Sequence, residues 1–128
     1  MKISLLIIVF FSFFSSTNDL NCNDLKTGVF QLNSVDGSTH TITRYKNYQT
    51  ENVGKTGLIS QFELKWVSDC AYILYNRKVI KGIDENKWEF ENDTLYNEIV
   101  EINGNEHKVI SSIKKYGLEI SALLKKVK

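Results

Sequence analysis

The sequence has no proline, one methionine, two histidines and two cysteines, and its 16 Lys and Arg nearly cancel its 15 Asp and Glu. Each shortage excludes something. Without an excess of positive charge there is no global drive toward DNA, RNA or an anionic bilayer, and nucleic-acid binders normally carry a basic face. His40 and His107 have no metal-ligand spacing, and the absence of C-x-x-C removes both a zinc half-site and a dithiol redox motif. No G-x-S-x-G elbow, H-E-x-x-H helix or phosphate-cradling glycine loop is present, so no catalytic residue, metal or cofactor is expected. A length of 128 residues excludes a multidomain enzyme with its own cofactor module, and the 12% aromatic content argues against disorder. The missing prolines are compatible with uninterrupted β-ladders without establishing them.

Long apolar runs are also scarce, with one exception. Ile3 to Phe14 follows Lys2 and leads into Ser15-Ser16-Thr17. A basic start, a short apolar core and a small-residue exit have the form of a secretory signal, whereas a spanning helix needs about 20 apolar residues. The expected division is a signal peptide over 1–17, cleaved near Thr17 or Asn18, and a single β domain over 18–128. A lipid anchor at Cys22 is disfavoured by the preceding Asp19-Leu20-Asn21. Removal of Lys2 with the leader equalises basic and acidic side chains and leaves no membrane span, so the expected location is secreted or periplasmic.

Cys22 and Cys70 both fall in the exported part, where an oxidising compartment makes a structural disulfide the expectation. The rest of the chain reads as strands between Gly, Asn and Asp turns. Phe62, Leu64 and Trp66 alternate with Glu63 and Lys65, and an odd-length turn around Ser68-Asp69-Cys70 would set Trp66 opposite Tyr72 and Leu64 opposite Leu74. Trp88 and Phe90 alternate in the same way. Leu95 to Ile102 and His107 to Lys114 flank Asn103-Gly104-Asn105, a hairpin signal. Gly28 to Asn33, Thr39 to Lys46 and Tyr48 to Asn52 add three short strands after a helical turn at Asn23 to Lys26. Leu118, Ile120, Ala122 and Leu124 fit a last strand, although Ile120, Leu123, Leu124 and Val127 would also make a helical stripe. The fold expected is all-β, an antiparallel meander of about eight strands forming a barrel or curved half-barrel.

Candidate binding residues come from polar side chains on neighbouring strands. Arg44, Gln49 and Glu51 can meet across the hairpin turned by Lys46-Asn47. Facing inward, they would be a polar anchor at the floor of a ligand cavity walled by Trp66, Tyr72 and Phe62, or else an internal ion pair that fixes register; facing outward, they would be an exposed pair worth under about 1 kcal/mol. Trp66 and Trp88 could serve as a sugar or lipid platform, but their apolar phase also suits a core. His40 and His107 are expected to be exposed. Asp84, Glu85, Glu89, Glu91 and Asp93 read as a solvated strand face rather than a cation patch.

The order Cys22, Gly28-x-Phe30, Arg44, Gln49-x-Glu51 and Trp66-Val67-Ser68-Asp69-Cys70-Ala71-Tyr72 resembles a family of short exported proteins, mostly from flavobacteria, that have no assigned function. Some members carry a topoisomerase label, which a short, neutral, exported chain does not support. The resemblance spans nearly all of the mature chain, more closely before Lys78 than after it. It implies the same disulfide and a lipocalin-like all-β fold, and it transfers no activity. The function expected is an exported non-catalytic module that binds a small apolar or amphipathic ligand through Arg44, Gln49, Glu51, Trp66 and Tyr72. The alternative is a cell-envelope protein that docks another protein and takes no small molecule.

Overall fold

The computed structural model describes residues 20–33, 37–84 and 92–128. Eight strands, in chain order, close into one antiparallel barrel. They are β1 (Gly28–Asn33), β2 (Thr39–Arg44), β3 (Tyr48–Val53), β4 (Leu58–Ser68), β5 (Ala71–Lys81), β6 (Leu95–Asn103), β7 (Glu106–Ile113) and β8 (Leu118–Lys126). Each strand pairs with its sequence neighbour, and β1 meets β8 to close the ring, with Phe30 opposite Lys126. The seam is reinforced where the Val29 amide donates to the Lys128 carbonyl at 3.0 Å and the Val127 amide returns to Val29 at 2.8 Å. Every one of the eight strands thus has a neighbour on both sides. The strand expected around Trp88 and Phe90 lies outside the described residues.

Period-two patterning produces this architecture. Phe30, Ile42, Phe62, Leu64, Leu74, Ile99 and Val109 face inward and are buried, while Glu63, Lys65 and Glu98 on the opposite phase are exposed. Leu64 pairs with Leu74 and Trp66 with Tyr72, as the parity of the two strands requires. The odd residue that keeps this register is a bulge at Val67, so the turn itself needs only Asp69 and Cys70. Between β6 and β7, Asn103 pairs with Glu106 around a two-residue turn in which Gly104 takes a φ of 65°. The last segment is a strand rather than a helix: Lys114–Tyr116 makes one 3₁₀ turn, and β8 then pairs with β7 from Leu118 onward. The second strand ends at Arg44 instead of Lys46, because the Tyr45 amide already donates to the Tyr48 carbonyl to turn the chain.

A meander gives the barrel two unlike ends. The β2–β3, β4–β5 and β6–β7 turns gather at one end with the start of β1 and the end of β8, and a 3₁₀ turn at Asn23–Leu25 plugs it. Cys22 is joined to Cys70 by a disulfide with a Cα separation of 5.4 Å, which ties the plug to the β4–β5 turn. Leu25 is buried in the core cluster beside Cys22. The β3–β4 and β7–β8 connections, with the end of β1, the start of β2, the end of β5 and the start of β6, form the other end. No helix among the described residues is long and apolar enough to cross a membrane.

Candidate functional site

The barrel interior is not filled. Between the plugged end and the opposite rim lies a cavity of about 570 Å³, within the range of about 300–1,000 Å³ that holds small molecules. Its walls are largely apolar, with Ile42, Phe62, Leu74 and Val109 contributed by β2, β4, β5 and β7 and both Ala122 and Leu124 by β8. Ile120 lines the cavity and is 67% exposed, so the wall runs out to solvent at the rim.

Below the cavity sits a buried polar network built on the β2–β3 register, in which Arg44 is directly opposite Gln49. Arg44 is 1% exposed and donates from Nε to Gln49 Oε1 at 3.1 Å, from one terminal nitrogen to the Leu25 carbonyl at 2.6 Å, and from the other to the Tyr72 hydroxyl at 2.9 Å. Its guanidinium also lies over the Phe30 and Tyr72 rings, 4.5 and 4.7 Å from their centroids. A guanidinium has no acceptor, so Gln49 must present its carbonyl oxygen to Arg44 and turn its amide nitrogen elsewhere. That nitrogen donates to Glu51 Oε2 at 3.0 Å. Arg44 and Glu51 are thus joined through Gln49 rather than by direct contact.

Burial sets the ionisation of the three charged or phenolic groups. It raises the Glu51 carboxyl above its usual range, against the lowering effects of the Gln49 hydrogen bond, Arg77, His40 and Arg44. It also raises the Tyr72 phenol, partly offset by Arg44, and keeps its proton in place. The Arg44 guanidinium is pulled down by burial and held up by Tyr72 and Glu51.

Of the residues singled out from sequence, Gln49, Glu51 and Tyr72 line the cavity. Arg44 lies beneath them, with its donors directed into the protein. Trp66 is placed apart from the cavity wall. Its ring leans on Tyr72 at 4.7 Å, Lys26 lies over it at 5.1 Å, and its indole nitrogen is buried without a hydrogen-bond partner. Trp66 therefore packs behind the floor, against the core. Phe62 does contribute wall.

Several lining residues were not foreseen. His40, expected at an exposed strand edge, lines the cavity and is only half-exposed, because β2 carries it on the same inward phase as Ile42 and Arg44. Arg77 also lines the cavity, paired to Asp84 at 3.1 Å. Simple alternation from Tyr72 and Leu74 would send residue 76 inward instead. The register shifts between Gln61 and Glu63, and Asn76 adopts a φ of 51°, the one positive value among the described non-glycine residues. Asparagine tolerates this left-handed geometry better than most residues, and the resulting bulge turns Arg77 inward. Asn97 and Ser111 line the opposite side; Asn97 donates to the Tyr72 and Leu95 carbonyls and accepts from the Ser111 hydroxyl at 2.6 Å.

Comparisons with family models, curated proteins and solved structures found no match. What the site can do must be read from its own geometry.

His107 corrects a second expectation, since it is 1% exposed rather than on the surface. The two-residue turn makes it the partner of Ile102 and puts it on the inward phase of β7, edge-on to Phe30 with ring centroids 5.2 Å apart. Neither ring nitrogen has a hydrogen-bond partner, and burial, helped by Arg44 and Lys126, lowers its pKa to about 4. It is a neutral core residue at neutral pH, outside the cavity lining. Among the described residues no cluster of three or more His, Cys, Asp or Glu could hold a metal ion.

Proposed function

We propose that this protein is an exported, non-catalytic binding module that carries a small apolar or amphipathic molecule in its barrel, in the manner of a lipocalin. The observation that supports this reading is the cavity of about 570 Å³, apolar along its walls and polar at its floor. A void of this size in a domain this small sacrifices packing contacts that a purely structural barrel would retain. The Arg44 network supports the same reading, because it fixes Gln49, Glu51 and Tyr72 before any ligand arrives. Export is supported by the leader-like first residues and by the disulfide between Cys22 and Cys70.

Native mass spectrometry of protein purified from its own host tests the proposal. A reproducible mass increment is expected, and Ala122→Phe, which pushes a ring into the cavity, is expected to fold and lose it. A clean apo mass in the wild type together with a stoichiometric co-purifying protein would replace ligand binding with envelope docking.

A further inference from the structure

Polarity in the cavity is not confined to the floor, because it also climbs one side of the barrel. The ring closes in chain order, so β2 to β5 form one half of the wall and β6, β7, β8 and β1 the other. Among the described lining residues, every ionisable side chain, His40, Glu51, Tyr72, Arg77 and Asp84, lies on β2 to β5 or just after β5. The other half presents Leu32, Leu95, Val109, Ile120, Ala122 and Leu124. Its two polar lining residues, Asn97 and Ser111, are cross-strand partners bonded to each other at 2.6 Å.

Register places the polar groups at successive heights. Tyr72 is at the floor, bonded to Arg44 as Gln49 is. One inward step beyond Gln49 along β3, Glu51 stands directly opposite Ser60 on β4. One step further, His40 on β2 is opposite Val53 on β3. Each step of two residues covers about 7 Å, so polar side chains recur at about that spacing from floor to rim. Arg77 and Asp84 bond to each other at 3.1 Å and each has a further interaction within the protein, so the strip is carried without them. A ligand with one polar head and an apolar tail would lay methylenes along Glu51, Ser60 and His40. It would shield them from water without replacing water's hydrogen bonds.

Building on the cavity-binding reading above, we propose that the ligand is amphipathic by face rather than by end, a flat polycyclic molecule with hydroxyl groups along one side. The hydroxylated face lies against Glu51, Ser60 and His40, and the bare hydrocarbon face against β6, β7, β8 and β1. A fused ring skeleton suits this wall because it holds its hydroxyls at fixed spacing on one side. A flexible chain would lose rotational freedom to align them.

Displacement of Nile red by the methyl esters of chenodeoxycholic and ursodeoxycholic acid, two uncharged epimers, tests this at neutral pH. The two hydroxyls share one face of the ring system in the first and lie on opposite faces in the second. The first ester is expected to compete at a concentration about tenfold lower, because the second must press a hydroxyl against the bare wall. Ser60→Ala removes a partner from the polar half, and Ala122→Ser supplies one on the other half. Each is expected to narrow the difference to about threefold or less, and either suffices if the other fails to fold. Equal competition by the epimers, or a difference unmoved in the folded variants, as simple hydrophobicity would leave it, would overturn the face-amphipathic ligand while leaving cavity binding intact. Displacement by decanol but by neither ester would do the same. No dye uptake by the wild type would overturn cavity binding and this proposal with it.

Discussion

Arg44 and His107 show two ways in which a small barrel keeps a polar side chain inside. Arg44 is buried with an acceptor for each of its three donor nitrogens, so its charge organises the floor. His107 is buried with no partner and remains neutral instead. The second arrangement carries a pH dependence whose sign follows from proton counting. Folding lowers the imidazole pKa from 6.5 to about 4, so between those values the unfolded chain binds more protons than the folded one. The stability contributed by neutral burial is present above 6.5 and is lost as the pH falls toward 4. The loss attributable to this residue amounts to at most about 3 kcal/mol. Urea denaturation at stepped pH should show the wild type weakening across that window relative to His107→Leu. The comparison with the variant removes the opposite contribution of Glu51, whose raised carboxyl pKa favours the folded state as pH falls. Parallel pH profiles for the two proteins would show that His107 takes up its proton as readily in the folded protein as in the unfolded chain.

At the level of elements, the barrel depends on bulges as much as on alternation. Asn76 is the clearest case, because its left-handed backbone turns Arg77 toward the cavity and brings it to Asp84. Asn76→Val is expected to lower the unfolding free energy by about 1–2 kcal/mol, while Asn76→Gly stays within about 0.5 kcal/mol. Equal losses in both variants would place the residue's role in its side-chain bond to Glu63, which both remove, rather than in its backbone. The same bulges decide what could be read from sequence. Trp66 opposite Tyr72 was legible because both strands keep their parity up to the turn, and the Asn103-Gly104 hairpin was legible because its turn chemistry is local. Arg77 was hidden because a bulge reverses parity, and a lone Asn in an apolar strand is its only signal. His107 had a usable signal: counting back across the two-residue turn pairs it with inward-facing Ile102. Arg44, Gln49 and Glu51 could be placed on one face from the hairpin alone. Their division into a buried anchor and a cavity surface depends on the depth of each along the barrel, and alternation carries no information about depth.

For the whole molecule, the cavity and the disulfide are two sides of one stability problem. An interior that encloses a cavity of this size lacks part of the packing that a barrel would otherwise have, and small domains have little stability in reserve. The Cys22–Cys70 bond closes a loop 48 residues long, which the chain-entropy treatment values at about 4 kcal/mol. It does so at the end of the barrel opposite the cavity rim, where it also holds the Leu25 carbonyl against Arg44. Replacing both cysteines with alanine should therefore lower the urea-unfolding free energy by about 4 kcal/mol without opening the barrel. Because the loss arises in the unfolded chain, the strand amides should exchange faster in proportion to the global change, as a single cooperative unit. A different pattern would identify a different role. If the Leu25 amide, bonded to the Cys22 carbonyl at 3.0 Å, exchanged faster while the urea midpoint moved by less than about 1 kcal/mol, the bond would be a local clamp on the plug. Ligand uptake then separates the cases further. A freed plug removes one acceptor from Arg44 and loosens Gln49 and Tyr72, so binding would weaken in the double variant even at temperatures where the barrel is fully folded.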